Sequence, residues 1–297
     1  MSSPGGLCFP EPVAPTMPEL RLSVAGRDLV GVSIGAIATA FAIPGLDAAV
    51  DMGRCSPLLA AQGTVLLSHC HSDHVAGLVA WLSAHTRRYP GHTTRIVLPG
   101  ERREALLTAL TAWPDLDGVR RRVRLEEVLV AAAPGDRVEL AGGVAAASAF
   151  AGRHHTAALG WALTLAGASR PWAVLAGDST VEPFAKRPEL LDAAVAVVDC
   201  SFVEPGTRVA ARLGGHGHLS DWLELAPRLA CDTLVLAHLP PEPDLSRMAA
   251  AVAGLPRGLR VVAWVAPPSS GSPWAQRGLP ETSTAVADAA GPRRESE

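Results

Sequence analysis

Residues 64–78 read TVLLSHCHSDHVAGL. The apolar run TVLL has the composition of a buried strand, and the residues after the loop place Leu78, Trp81 and Leu82 at helical spacing across 75–88. Between strand and helix, His69, His71, Asp73 and His74 form an HxHxDH cluster. Alternate residues at an extended strand end point the same way. His69 and His71 can therefore grip one ion while Asp73 and His74, just around the turn, reach another. Imidazoles with a carboxylate suit zinc, iron or manganese. Cys70 points away from the ligands by the same alternation, which predicts packing rather than chemistry.

Working outward, short β-like runs alternate with helical ones. Strands are expected at 20–24, 31–43, 48–52, 94–98, 123–130, 137–140, 143–150, 161–165, 172–176, 195–198, 233–237 and 259–265. Helices are expected at 101–113, 182–194, 220–230 and 245–253. Strand-rich halves with interleaved helices predict an α/β (α+β) protein of two sheets packed face to face with helices outside. The polar loops at strand ends carry most of the histidines. Residues 1–18 and 267–297 are rich in proline, or in Pro, Ser, Gly and charge, and are expected to be disordered around one domain at 19–266.

The chain has 297 residues, 48% of them hydrophobic, with a mean hydropathy of +0.21, enough for a sizeable core. A net charge of −3 and pI near 6.4 argue against binding nucleic acid by bulk charge. Locally the balance differs. Between residues 87 and 124 lie nine arginines (87, 88, 95, 102, 103, 120, 121, 122 and 124) against Glu101, Glu104, Asp115 and Asp117. On one face they would track a phosphate backbone; spread over a helix and loop they are ordinary solvated charge. The five cysteines are scattered and never spaced CxxC, which predicts no disulfide framework and a reducing cytoplasm. The first residues show neither the basic nor the apolar segment of a secretory signal, and no apolar stretch approaches 18 residues, so a soluble protein without contact with membrane is expected.

HCHSDH after VLLS resembles the metallo-β-lactamase superfamily. With GLDAAVDMGRC at 45–55, AGDST at 176–180, VVDCSF at 197–202 and GHGHLSDW at 215–222, the pattern resembles its ribonuclease Z branch, particularly the short form, over about residues 30–240. The resemblance implies a four-layer αββα metallo-β-lactamase sandwich and a dinuclear site holding two Zn²⁺ per chain, with Mn²⁺ or Fe²⁺ as alternatives. Its implied ligands are His69, His71, Asp73, His74, His154, Asp178 and His238, with Asp178 bridging both metals. His154 is preferred to His155 because Gly160 and Trp161 follow it by six and seven residues. Asp51 matches a residue that supports the metal loop from behind.

By the same resemblance His218, 20 residues before His238, assists phosphodiester cleavage, with His216 as the competing candidate, and Asp73 orients the nucleophile. The implied function is a metal-dependent hydrolase, a phosphodiesterase or endonuclease in which zinc-activated water attacks phosphorus. Its substrate would be an RNA 3′ end or a smaller cyclic or diester molecule, and its assembly a homodimer. Two departures stand out. Only 23 residues separate His154 from Asp178, enough for a two-strand hairpin but not for the family's tRNA-gripping arm, and Leu239, Pro240, Pro241 and Glu242 replace the family's Ser-Ala-Arg-Tyr-like run after the last ligand, which removes an expected basic residue. Two other readings share these residues: hydrolysis of a thioester, lactone or other acyl substrate, and a metal-free scaffold.

Overall fold

Runs with almost no polar residue, such as ATAFAI at Ala38–Ile43 and TLVLA at Thr233–Ala237, are buried along their whole length. Strands of this kind need cover on both faces. The computed structural model provides it and describes residues 19–118, 122–253, 255 and 258–265; the expected disordered ends, 1–18 and 267–297, lie outside the described residues.

One seven-stranded sheet follows chain order: Leu20–Val24, Arg27–Ile34, Ala38–Ile43, Ala48–Val50, Thr64–Leu66, Arg95–Pro99 and Leu129–Ala132. The second, also seven-stranded, does the same through Arg137–Leu140, Ala145–Ala151, Leu159–Leu165, Ala173–Leu175, Val195–Asp199, Thr233–Ala237 and Arg260–Ala263. In each sheet the first four strands form an antiparallel meander and the rest join in parallel. The two halves thus repeat one topology without repeating a sequence.

Three apolar layers hold the sandwich. Phe41, Leu66, Trp161, Leu163 and Val235 meet between the sheets. Leu59, Leu78, Trp81, Leu82 and Leu110 pack helices onto the first sheet, and Phe184, Leu191, Trp222 and Met248 pack helices onto the second. This is the expected helix, sheet, sheet, helix order. Buried indole N–H groups need partners, and four find carbonyls on other elements: Trp81 on Gln62, Trp161 on Leu67, Trp172 on Val24 and Trp222 on Asp199. Trp161 crosses from the second sheet to Leu67, just ahead of the loop that carries His69–His74.

Several elements break where the sequence predicts continuity. The expected strand 31–43 is a hairpin, Arg27–Ile34 with Ala38–Ile43, turning at residues 35–37. The expected helix 75–88 splits into Ser72–Val75 and Leu78–Arg88, because Gly77 packs its backbone onto Arg54. Residues 125–128 are a helical turn before the strand Leu129–Ala132. Pro188 ends the helix Glu182–Lys186, which was expected to run on to 194. Among the described residues no helix is long and apolar enough to cross a membrane.

Candidate metal centre

The centre lies where both sheets present loops at their strand ends. The loop of His69–His74 is held by backbone bonds: Met52 N–H to the His74 carbonyl at 2.7 Å, Gly53 N–H to Thr39 at 2.8 Å and Gly77 N–H to Met52 at 2.8 Å. A side chain at Gly53 would bring a Cβ within 1.8 Å of the Asp73 carbonyl, so only glycine allows this approach. Ala36, Asp51 and His238 all take left-handed backbone, at φ 60°, 59° and 54°. Such conformations in non-glycine residues persist where the surroundings fix them, and these three converge here: the Ala36 amide donates to Asp73 Oδ2 at 3.1 Å, the same oxygen that faces His238 Nε2 at 3.1 Å.

The donors fall into groups whose ligand atoms lie within 4.8 Å of one another: His69, His71, His154 and Asp178; Asp73, His74 and His238; and Asp178, His216 and His238. All seven residues named from the sequence appear. Asp178 joins the first two groups, with Oδ2 3.7 Å from His69 Nε2 and 3.4 Å from His238 Nε2, and Oδ1 3.3 Å from His74 Nε2. His154 donates from Nδ1 to the Gly215 carbonyl at 3.0 Å, which leaves Nε2 to face His71 Nδ1 at 3.3 Å. His155 belongs to none of these groups; it is exposed, stacks on His71 and donates to Gly214.

Two buried atoms test whether a metal fits. His69 Nε2 and His74 Nε2 are enclosed and have no hydrogen-bond partner. An unpaired buried polar atom is costly, and divalent ions held by the two donor groups that Asp178 joins would satisfy both. The titration pattern agrees. Burial, reinforced by the His74 charge, pushes His69 down to about 2, and burial brings His154 to about 4. Burial alone would lower His74 too, but Asp51 and Asp178 outweigh it and raise the ring well above the usual histidine range. Burial would raise Asp73, yet its bond to His238 and the His74 charge bring it to about 2.

Asp51 is 1% exposed and sits behind the loop, with Oδ2 2.8 Å from His74 Nδ1 and Oδ1 accepting the Ser68 amide at 2.7 Å. His218 is not brought to the centre. Its Nε2 faces the Glu204 carbonyl at 3.1 Å and its Nδ1 accepts the Ser220 amide at 3.0 Å, capping the helix Leu219–Leu225. His216 is at the centre instead, 2.8 Å from Asp199 Oδ2 and 3.8 Å from Asp178 Oδ2. Burial lowers it, but the Asp199 bond prevails and raises its pKa.

Asp199 and the two serines beside these aspartates, Ser68 and Ser201, are participants that motif spacing did not single out; the signal available was a carboxylate closing an apolar strand, VAVVD, as Asp51 follows DAAV. Cys70 packs with the helices of the first sheet, and burial pushes its thiol up to about 11. His85 is structural, bonded to the carbonyls of Ala60 at 2.9 Å and Thr93 at 2.8 Å. The arginine-dense segment is partly spent on the fold: Arg95 bonds Thr64 and Glu139, Arg103 bonds Leu129 and Glu126, and Arg124 pairs with Glu127. Arg120 and Arg121 lie outside the described residues. Between His154 and Asp178 the chain forms the two strands Leu159–Leu165 and Ala173–Leu175 and nothing larger.

The chain resembles proteins already characterised. A family model described as the beta-lactamase superfamily domain matches residues 44–239. The nuclear ribonuclease Z of Triticum aestivum is 38% identical over 63 residues, 21% of this chain and 36% of that protein. The tRNase Z TRZ1 of Arabidopsis thaliana is 28% identical over 96 residues, 32% of this chain and 34% of that protein. The matches therefore span about a third of the length of these curated relatives. Among solved structures, the metallo-beta-lactamase fold protein YhfI of Bacillus subtilis superposes with a TM-score of 0.59 at 18% identity, over 78% of this chain and 93% of that one.

Proposed function

The chain belongs to the beta-lactamase superfamily, and on that footing we propose that it is a ribonuclease Z-like, metal-dependent hydrolase of phosphodiester bonds. The observation that carries this reading is the pair of donor groups joined by Asp178, with the His216–Asp199 pair beside them. His69, His71, His154 and Asp178 would hold one metal, and Asp73, His74, His238 and the shared Asp178 a second. Zinc suits this nitrogen and carboxylate set. Two divalent metals held there supply charge neutralisation for a phosphoryl group and water acidified to a pKa of about 7.

The remaining work falls to side chains. Asp73, fixed by the Ala36 amide and by His238, offers a carboxylate oxygen to orient the attacking water. His216 is partly open to solvent, and Asp199 keeps a proton on its ring. That proton can pass from His216 to the leaving oxygen, assistance that the family resemblance implied for His218 with His216 as the competing candidate. His154 and His155 are tied to the Gly214–Gly215 carbonyls, which keeps the loop of His216 against the centre.

An RNA 3′ end or a smaller diester is the substrate class. The family resemblance supports a homodimer. The four described cysteines, all free, support a reducing compartment such as the cytoplasm. The test is turnover of bis(p-nitrophenyl) phosphate and of a precursor tRNA by the zinc-loaded protein. Cleavage of at least one is expected, and inactivity on both at full metal loading overturns the proposal.

A further inference from the structure

Two histidines of the centre turn their inner ring nitrogens toward serines. Ser201 Oγ is 2.5 Å from Asp199 Oδ1 and 2.8 Å from His238 Nδ1. Ser68 Oγ is 2.8 Å from Asp51 Oδ2 and 3.0 Å from His69 Nδ1. A serine hydroxyl carries one proton, and a carboxylate can only accept. The hydroxyl must therefore donate to the aspartate and accept from the imidazole.

In its neutral form each ring is fixed by this arrangement as the Nδ1–H tautomer, which turns the Nε2 lone pair inward. For His69 that atom faces Asp178, and for His238 it faces Asp73 and Asp178. His69 belongs to one donor group and His238 to the other.

The two arrangements match in a further respect. Each aspartate also bonds a second histidine directly: Asp51 holds His74 Nδ1 at 2.8 Å and Asp199 holds His216 Nδ1 at 2.8 Å. Ser68 lies 3.4 Å from His74 Nδ1 and Ser201 lies 3.2 Å from His216 Nδ1, but those nitrogens donate to the nearer carboxylates. Asp51 and Ser68 lie just past two strands of the first sheet, Ala48–Val50 and Thr64–Leu66, whereas Asp199 closes and Ser201 follows one strand of the second, Val195–Asp199.

We propose that Ser68 and Ser201 are matched positioning residues, each setting the tautomer of one histidine in each metal group through the relays Asp51–Ser68–His69 and Asp199–Ser201–His238. The assignment rests on the metal-dependent reading of the centre. Without the hydroxyl the imidazole loses the acceptor that selects its tautomer, and groups in that position alter metal affinity about 10–100-fold.

The experiment replaces each serine in the full chain by alanine and by threonine and titrates Co²⁺ against a competing chelator, following visible absorption as a reporter of coordination geometry. Ser201→Ala is expected to weaken one metal equivalent about 10–100-fold, to change its absorption band and to spare the other equivalent; Ser201→Thr restores both affinity and band. Ser68→Ala is expected to weaken the opposite equivalent. Ser201 is half-buried, so its variants carry the test if the fully buried Ser68 position does not tolerate change. Alanine variants that bind like a metal-binding wild type overturn this assignment alone. A wild-type chain that takes up no metal overturns the metal-dependent reading and the assignment with it.

Discussion

Asp199 Oδ2 sits 2.8 Å from His216 Nδ1, while His218, two residues on, faces away and caps a helix. A proton donor must reach the leaving group, and of these two histidines it is His216 that lies at the centre beside a carboxylate that raises its pKa. His216→Ala is expected to lower kcat on a diester by about 10²–10⁴-fold and to remove the alkaline limb of the pH–rate profile, with metal content unchanged. His218→Ala is expected to cost about 1 kcal/mol of stability, as loss of a helix cap does, with kcat near that of the wild type. Steady-state kinetics with thermal unfolding of both variants checks this, and the opposite ranking would return the role to His218.

Asp51 is buried and holds the His69–His74 loop by three contacts: the Ser68 amide, the Ser68 hydroxyl and His74. Asp51→Asn keeps the shape and removes the charge that fixes His74. Metal affinity measured against a chromogenic chelator is expected to drop about 10–100-fold. Asp51→Ala, which leaves His74 buried without its partner, is expected to destabilise the fold by about 3–5 kcal/mol as well.

What could be read from the residues depended on how local the physics was. The donor residues of the His69–His74 loop were legible because they follow one another along a strand end, and the spacing implied by the family resemblance favoured His154, which the structure groups with His69, His71 and Asp178. His216 and His218 could not be separated that way. Both lie in the same GHGH run, and the choice depends on Asp199, a partner 17 residues away that is brought alongside by strand packing. Ser68 and Ser201 were invisible for the same reason, since a serine after an apolar strand is common and only the third dimension places it between an aspartate and a histidine. The break of 31–43 into a hairpin also has a distant cause: Gly35 donates to the Leu239 carbonyl and Ala36 to Asp73, contacts that fix the turn.

Metal binding should depend on pH differently in the two groups. In the metal-free protein Asp51 and Asp178 raise His74, and Asp178 and Asp73 raise His238 against the opposing effect of burial. Burial lowers His69, His71 and His154. A proton on a ligand nitrogen must leave before a metal binds. A raised pKa therefore lets protons compete up to higher pH, and affinity at Asp73, His74 and His238 falls as the solution is acidified. The rings of the other group are held below the usual histidine range, so protons compete less with metal there. Zinc titrations by calorimetry are expected to show a second equivalent weakening from slightly alkaline pH to about pH 6, with the first nearly unaffected. Equal loss of both equivalents would contradict the assignment of protons.

Gly53 offers a test of the loop that involves no ligand at all. Its backbone lies so close to the Asp73 carbonyl that a Cβ would stand 1.8 Å from that oxygen and 2.7 Å from the Thr39 amide nitrogen. Neither atom is on a flexible side chain, so Gly53→Ala must displace the backbone that carries Asp73 and His74. Overpacking of this kind costs about 1–3 kcal/mol, and the displaced carboxylate should weaken the metal that Asp73 would help to hold. Gly100→Ala is the control, since its Cβ would meet the Ala131 methyl at an ordinary 3.5 Å. That change is expected to stay within about 0.5 kcal/mol and to leave metal stoichiometry intact. Thermal unfolding with metal analysis of the two variants reads both effects, and a Gly53→Ala protein with the stability and metal content of Gly100→Ala would show that the close approach does not position the loop.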